Sequence, residues 1–132
     1  MKNSQIIHFL KTRFNNLWAI YLFGSQVKGQ VNNESDVDLA ILGPIAFNHS
    51  QIWEARSELE LLIKQDVDLL DLRAIGLTTR QVILDEALRL YCQLPLEVNL
   101  FETATFSDYL SFFEERQPLF EAAKKRGHFY GR

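Results

Sequence analysis

The stretch that decides the fold runs from Ala19 to Leu42 and reads AIYLFGSQVKGQVNNESDVDLAIL. It begins with a continuous apolar run, Ala19–Phe23, which is typical of a strand buried on both faces. The run stops at Gly24-Ser25, and the polar residues 26–35 predict a short helical turn followed by a loop. A second apolar run over residues 37–42 then predicts a second strand, which ends before Gly-Pro.

Two acidic side chains lie at the start of this second strand. Side chains two positions apart in a strand share a face, so Asp36 and Asp38 point one way while Val37 points the other. Carboxylates roughly 6 to 7 Å apart repel each other, and a divalent cation relieves that repulsion. Magnesium suits carboxylate oxygens that share it with substrate phosphates, and two such ions can stabilise a phosphoryl displacement. The pattern therefore predicts magnesium at Asp36 and Asp38.

The turn at Gly24-Ser25 lies where the first strand ends and a helical turn is predicted to begin. Backbone N–H groups at such a point bind anions, and glycine lets a phosphate approach the chain closely. We therefore predict that Gly24 and Ser25 bind phosphate. A nucleotide-binding P-loop is excluded, because Gln30-Val31 stands where that motif has Lys-Ser/Thr.

A third strand, predicted over residues 67–72, brings more acid. Asp66 and Asp68 share one face of it. An unpaired buried carboxylate is costly, so such a cluster indicates a purpose. Whichever of the two reaches the first pair of aspartates would complete a metal site and accept the attacking hydroxyl's proton. The residues alone leave Asp66 and Asp68 open as alternatives.

The remaining sequence alternates helical and extended patterns. Helices are expected at about 4–16 with Ser4 as N-cap, at about 50–64, and from a Thr78–Gln81 capping box to Tyr91. A short edge strand is predicted at 96–101, followed by an aromatic-rich helical segment at about 106–126. These elements predict one α/β (α+β) domain over residues 1–132, with a small mixed sheet of three to four strands flanked by helices.

Composition narrows the functional classes. With 14 basic and 17 acidic residues the formal net charge is −3, so the chain lacks the basic footprint of a protein that binds duplex nucleic acid. The single cysteine, Cys92, fits a reducing compartment. No apolar run is long enough for a membrane span, and residues 1–5 lack a signal-peptide core. We expect a cytoplasmic protein without a membrane partner.

The spacing of Gly24-Ser25, ten intervening residues and Asp36-x-Asp38 resembles the signature of the DNA polymerase β-like nucleotidyltransferases. The short length and the Ser-Asp-x-Asp-Leu stretch resemble the minimal, MNT-type branch of that superfamily. That branch commonly serves as the antitoxin half of HEPN–MNT toxin–antitoxin pairs. The resemblance covers residues 23–42 most specifically, and implies a polymerase β-like nucleotidyltransferase fold.

The resemblance also implies roles for individual residues. Asp36 and Asp38 would hold two magnesium ions, with Asp68 as the third metal-ligating acid and the base. Gly24 and Ser25 would hold the triphosphate of ATP, and Lys28 would touch phosphate. The chain would then be a type VII-like antitoxin, a protein adenylyltransferase that moves AMP from ATP onto a tyrosine of a HEPN ribonuclease toxin and inactivates it.

Two other functions stay open at this point. One is an antitoxin that neutralises its toxin by direct binding, with a nucleotide site that is not essential. The other is a nucleotidyltransferase that acts on a small molecule or RNA. The aromatic side chains Phe106, Tyr109 and Phe113 fit a protein interface as well as they fit packing against the sheet.

Overall fold

The computed structural model describes residues 2–24, 27 and 36–125. Its elements, in chain order, are α1 Lys2–Arg13, β1 Ala19–Phe23, β2 Val37–Leu42, α2 His49–Ile63, β3 Val67–Asp71, α3 Leu77–Glu86, β4 Leu88–Cys92 and α4 Pro95–Lys125. The polar segment 26–35, for which a helical turn was predicted, lies almost entirely outside the described residues.

The four strands form one mixed sheet in the order β3-β2-β1-β4. β1 pairs antiparallel with β2 and with β4, whereas β2 and β3 are parallel and are connected through α2. Parallel neighbours need such a crossover, and a helix is its usual form. The predicted small mixed sheet flanked by helices is confirmed.

The alternation of side chains along the strands builds two apolar layers. One face of the sheet packs Leu39 and Ile41 against residues of α1 and α2 such as Leu10 and Leu59, all fully buried. The other face carries a second cluster beneath α3 and α4. Its buried members are Ala19, Tyr21, Ala40, Leu42, Leu72, Ile83 and Val98. Because both faces are covered, the continuous apolar runs of β1 and β2 are explained.

The region after β3 differs from the sequence-based prediction. α3 ends at Glu86 instead of Tyr91, and residues 88–92 form β4 on the open edge of β1. Leu88, Leu90 and Tyr91 suit either a helix or a strand, and pairing with β1 decides between them. The predicted Thr78–Gln81 capping box is also wrong, since the N-cap is Gly76 and makes no side-chain cap.

The edge strand predicted at 96–101 is wrong as well. These residues form the first turns of α4, which begins at Pro95 and continues through the expected aromatic segment to Lys125. Proline at the first helical position costs nothing, because that N–H has no partner in a helix anyway. Smaller differences affect α1, which begins two residues before the predicted cap Ser4, and α2, whose N-cap Asn48 accepts from Ser50 N–H at 2.8 Å.

No helix within the described residues combines the length and the apolar character that a membrane crossing requires.

Candidate active site

The acidic side chains meet at one end of the sheet, where β2 and β3 begin. The parallel register pairs Asp38 directly with Asp68, and Val37 N–H donates to the carbonyl of Asp66 at 2.9 Å. Val37 and Val67 are buried in the core, so the intervening aspartates point away from it. Strand pairing therefore brings together carboxylates that are about thirty residues apart in the sequence.

These carboxylates line one cavity of about 380 Å³. Its described lining consists of Asp36, Asp38, Asp66, Val67 and Asp68 from the strands and Arg56 and Glu60 from α2. Asp38 is half-buried, whereas the other three aspartates are exposed. All three predicted acidic residues thus lie in one place, and the alternative, Asp66, lies there too.

The environment of Asp38 disfavours the ionised form of its carboxyl group. Burial raises the pKa of its carboxyl above the usual value, and the negative charges of Asp68, Asp36 and Glu86 raise that pKa further. An ionised Asp38 is therefore held in a place that disfavours its charge. A divalent cation would reverse that balance, because it attracts each of the carboxylates that repel one another.

Gly24 is held against this carboxylate by the pairing of β1 and β2, in which Phe23 faces Asp38. Its φ of 78° is in the left-handed region that favours glycine. A Cβ added here would overlap the Asp38 carboxylate. Val27 N–H donates to the Gly24 carbonyl at 3.2 Å, which closes a turn directly beside Asp38. Ser25 and Lys28, which were predicted to bind phosphate, lie outside the described residues, so their roles stay predictions.

Three charged side chains of the site were missed by the sequence analysis. Glu86 ends α3 and contributes to the field at Asp38. Glu60 accepts from Val67 N–H at 2.9 Å, and Arg56 Nη1 lies 3.9 Å from Glu60 Oε2. The signal for the α2 pair was the crossover itself, because the helix before a parallel strand ends beside that strand's start. Nothing in the sequence pointed to Glu86, since the helix was predicted to run past it.

A further aspartate, Asp71 at the end of β3, has a structural role. It is buried at the opposite end of the strand and accepts from Phe47 N–H at 2.7 Å and from Arg73 N–H at 3.0 Å. Its charge is therefore satisfied by backbone donors of the loops that follow β2 and β3. Of the acids on this strand, only those at its start face the cavity.

A larger cavity of about 510 Å³ lies between α1 and α2. It is lined by Gln5, His8, Phe9, Thr12, Arg13, Glu58 and Leu62. Its lining contains a single carboxylate, that of Glu58, and so offers no cluster of acids for phosphoryl chemistry. The smaller acidic cavity is the candidate active site because of its chemistry and despite its size.

The donor set of the acidic cavity fits magnesium, which prefers carboxylate oxygens. Among the described residues, no three acidic, histidine or cysteine side chains are already arranged to hold a metal by themselves. Magnesium does not require such a cage, because it is usually held by one or two carboxylates together with substrate phosphates and water. Asp36 and Asp38 beside a glycine turn meet that requirement.

The fold and site together define the class of a nucleotidyltransferase, and comparison with known proteins bears this out. A family model described as polymerase beta, nucleotidyltransferase, matches residues 4–95. The chain belongs to this family, and the fold and family expected from the Gly-Ser and Asp-x-Asp spacing are confirmed.

The particular relatives are more specific. The chain is 30% identical to the protein adenylyltransferase MntA of Shewanella oneidensis over 92% of its own length and 86% of the relative's. A crystal structure of a toxin–antitoxin with AMP-PNP contains a chain that is 29% identical, with a TM-score of 0.83 and coverage of 94% and 99%. A structure of the tri-AMPylated Shewanella oneidensis HEPN toxin in complex with MNT antitoxin contains one that is 28% identical, with a TM-score of 0.77 and coverage of 93% and 96%.

Proposed function

We propose that this chain is a type VII-like antitoxin, a magnesium-dependent protein adenylyltransferase that moves AMP from ATP onto a tyrosine of a cognate HEPN ribonuclease toxin and inactivates it. The observation that carries the proposal is the register-paired carboxylates Asp38 and Asp68 beside the Gly24 turn. They lie in a chain that is similar, over nearly its whole length, to a protein adenylyltransferase. The similar toxin–antitoxin structures support the HEPN partner, and we propose that the pair acts in the cytoplasm.

Three carboxylates of the cavity have roles in metal binding and proton transfer. Asp36 and Asp38 would hold two magnesium ions, which would supply positive charge to the triphosphate and Lewis-acid activation of the α-phosphate. Asp68 is the third acid, and the parallel register, which pairs it directly with Asp38, supports it over Asp66. Gly24 and Ser25 receive the triphosphate with backbone N–H groups, and Lys28 adds a positive charge near it.

The transfer itself needs little more than positioning. The tyrosine hydroxyl oxygen attacks the α-phosphorus of ATP, and its proton passes to the Asp68 carboxylate. The bond between the α-phosphorus and the bridging oxygen breaks, and pyrophosphate leaves with that oxygen. The cavity is open and faces solvent through the exposed Asp36, Asp66 and Asp68, so a tyrosine on a partner surface can reach it.

A second candidate, neutralisation by contact alone, is favoured by the exposed apolar side chains of α4. Leu96 and Leu100 are 66% and 60% exposed, and Phe106 and Phe113 are 49% and 47% exposed. Such a surface is typical of protein interfaces. Contact and adenylylation are compatible, because a transferase must dock before it reacts.

The experiment that tests the proposal incubates the purified chain with its HEPN toxin, magnesium and ATP labelled at the α-phosphate. We expect label on the toxin with the wild-type chain and none with Asp36→Asn/Asp38→Asn. Lys11→Ala, a surface change on α1 away from the cavity, serves as the matched control and should transfer normally. Protection of cells by the double mutant at the wild-type level would instead establish neutralisation by contact.

A further inference from the structure

The two sides of Asp38 have different parts in the proposed transfer. β2 lies between β1 and β3, so Asp38 faces Phe23 on one side and Asp68 on the other. Neighbouring strands are about 4.8 Å apart, which puts the Gly24 turn and Asp68 on opposite sides of Asp38. The attacking and leaving oxygens of a phosphoryl displacement are roughly in line. With the triphosphate at the Gly24 turn, pyrophosphate therefore leaves towards β1 and the acceptor hydroxyl enters from the β3 side.

The flank of α2 forms the wall of the cavity on that side. Glu60 Oε2 accepts from Val67 N–H at 2.9 Å, which holds α2 against the start of β3. Arg56 precedes Glu60 by four positions and also lines the cavity, and Trp53 precedes Arg56 by three. Residues at these spacings share one face of a helix. A partner that brings a hydroxyl in from the β3 side therefore passes along Trp53 and Arg56.

These two side chains form one unit. The Arg56 guanidinium stacks over the Trp53 ring, 4.5 Å from its centre, while Trp53 remains 62% exposed. The stacking holds both side chains in one arrangement, which lowers the entropy that a partner must remove when it binds. Tryptophan and arginine are also the residue types that most often contribute a large share of the binding energy at protein interfaces.

The charge of Arg56 indicates what the partner brings. Arg56 is the one cation among the residues described around the cavity. Its Nη1 is 3.9 Å from Glu60 Oε2, which is too long for a hydrogen bond, and that oxygen already accepts from Val67 N–H. A guanidinium in this state suits a carboxylate, which can accept two parallel N–H groups. Arg56 lies about 6 Å further along the helix axis from the start of β3 than Glu60 does, so this pairing takes place at the outer rim of the cavity.

We propose that Trp53 and Arg56 recognise the acceptor, by binding the segment of the HEPN toxin that carries the acceptor tyrosine. This inference rests on the proposed function and names the surface that gives the reaction its specificity. A carboxylate beside the tyrosine pairs with Arg56, and an apolar side chain packs on the part of the Trp53 ring that Arg56 leaves open. The tyrosine hydroxyl then extends past both residues to the aspartates.

The first test measures the initial rate of AMP transfer at several concentrations of toxin and of ATP. We expect Trp53→Ala and Arg56→Glu to raise the KM for toxin at least about tenfold, with kcat and the KM for ATP within about twofold of wild type. A change in KM alone is the sign of lost binding that is equal in the ground and transition states. Arg56→Lys should recover only part of the loss, because an ammonium cannot pair with a carboxylate in the same planar way.

Two control variants match the two changes. Lys11→Ala removes a cation that also stacks on an aromatic ring, that of Tyr91 at 4.8 Å, but outside the cavity. Leu61→Ala shortens an apolar side chain of α2 that is 80% exposed and does not line the cavity. Both should keep the wild-type KM for toxin. Exchange of the charges is the sharpest form of the test. Toxin in which the exposed acids around the acceptor tyrosine are changed to lysine should react poorly with wild type and at least about fivefold better with Arg56→Glu.

A second test needs no transfer and therefore separates this inference from the proposed function. The inactive chain Asp36→Asn/Asp38→Asn is mixed with toxin without ATP and exposed to hydroxyl radicals, and oxidation is located by mass spectrometry. Oxidation of Trp53 should fall at least about fivefold in the complex, while that of Leu61 stays the same. Failure of wild type to transfer label would disprove the adenylylation and leave this measurement valid. Trp53 that is oxidised equally in the free chain and in the complex, or Trp53→Ala and Arg56→Glu with the wild-type KM for toxin, would overturn the acceptor surface.

Discussion

The two ends of β3 carry the same residue type in opposite physical situations. At its start, Asp68 lies beside Asp38 in the parallel register, and the negative charge of Asp68 helps to raise the pKa of Asp38. At its end, Asp71 is buried but accepts two backbone N–H groups. A buried carboxylate with donors stabilises the fold, whereas clustered carboxylates with like charges around them do not. The comparison separates the aspartate that stabilises the fold from those proposed to perform the chemistry.

The largest expected effect comes from removing a charge at the repulsive end. Asp38→Asn should lower the rate of AMP transfer at least about a hundredfold, equivalent to ~3 kcal/mol in the barrier, because the proposed magnesium ligand is lost. Its free energy of unfolding should not fall, because the change also removes the repulsion from Asp68 and Asp36. Transfer rates and chemical denaturation of the same preparations measure both. A stable but inactive protein is expected, and an active one would contradict the assignment.

The opposite outcome is expected at the other end of the strand. Asp71→Ala should lower the free energy of unfolding by about 2 to 4 kcal/mol, because the N–H groups of Phe47 and Arg73 lose their acceptor. Denaturant titration measures the loss. Asp71→Asn keeps one acceptor oxygen and should lose less. If Asp71→Ala unfolds at the wild-type midpoint but transfers no AMP, the division between the two ends is wrong.

Another carboxylate, Glu102 of α4, has a structural role like that of Asp71. It accepts from the Tyr21 hydroxyl at 2.6 Å and from Arg89 at 2.8 Å, and so ties the long helix to the sheet. Burial and the hydrogen bond to Glu102 raise the pKa of Tyr21, so the phenol stays protonated. Tyr21→Phe should cost about 1 kcal/mol of stability, since Arg89 still pairs with Glu102. Thermal unfolding measures the loss, and an unchanged melting temperature would show that the pair contributes nothing.

The smallest effect is a pH dependence. Because the folded-state pKa of Asp38 lies above its unfolded value, the native state holds this proton more tightly, and the destabilising charge is relieved as pH falls. We expect Asp38→Asn to have a higher free energy of unfolding than wild type at pH values above the raised pKa. The difference should be below about 1 kcal/mol, because the group is half-exposed, and it should vanish below about pH 4. Denaturation at several pH values tests this. A gap that widens towards acid pH has the wrong sign.

The parts of the fold that the sequence predicted are those in which one periodicity dominates. Apolar runs marked β1 and β2, because nearly all of their residues are buried, and a shorter apolar run marked β3, in which Asp68 is exposed. β4 was missed because residues 88–92 are exposed or half-buried and also fit a helical pattern, so pairing with the edge of β1 decides their structure. The length of α4 was missed because Pro95 marks a helix start as readily as a break.

The site likewise has a part that the sequence predicted and a part that depends on the fold. Asp36 and Asp38 follow from the period of a strand, a local property that one sequence reveals. The pairing of Asp38 with Asp68 depends on the register between two strands that a helix separates, and the approach of Glu86, Arg56 and Glu60 depends on packing. No spacing of residues in the sequence indicates any of these contacts.

The most direct test of the central claim measures the binding of AMP-PNP by calorimetry with magnesium and with EDTA, in wild type and in Asp38→Asn. If the repelling carboxylates at the start of β2 and β3 are built for a magnesium–nucleotide, wild type binds at least about tenfold more tightly with magnesium, and Asp38→Asn loses that difference. Equal affinity of wild type with magnesium and with EDTA would contradict the account.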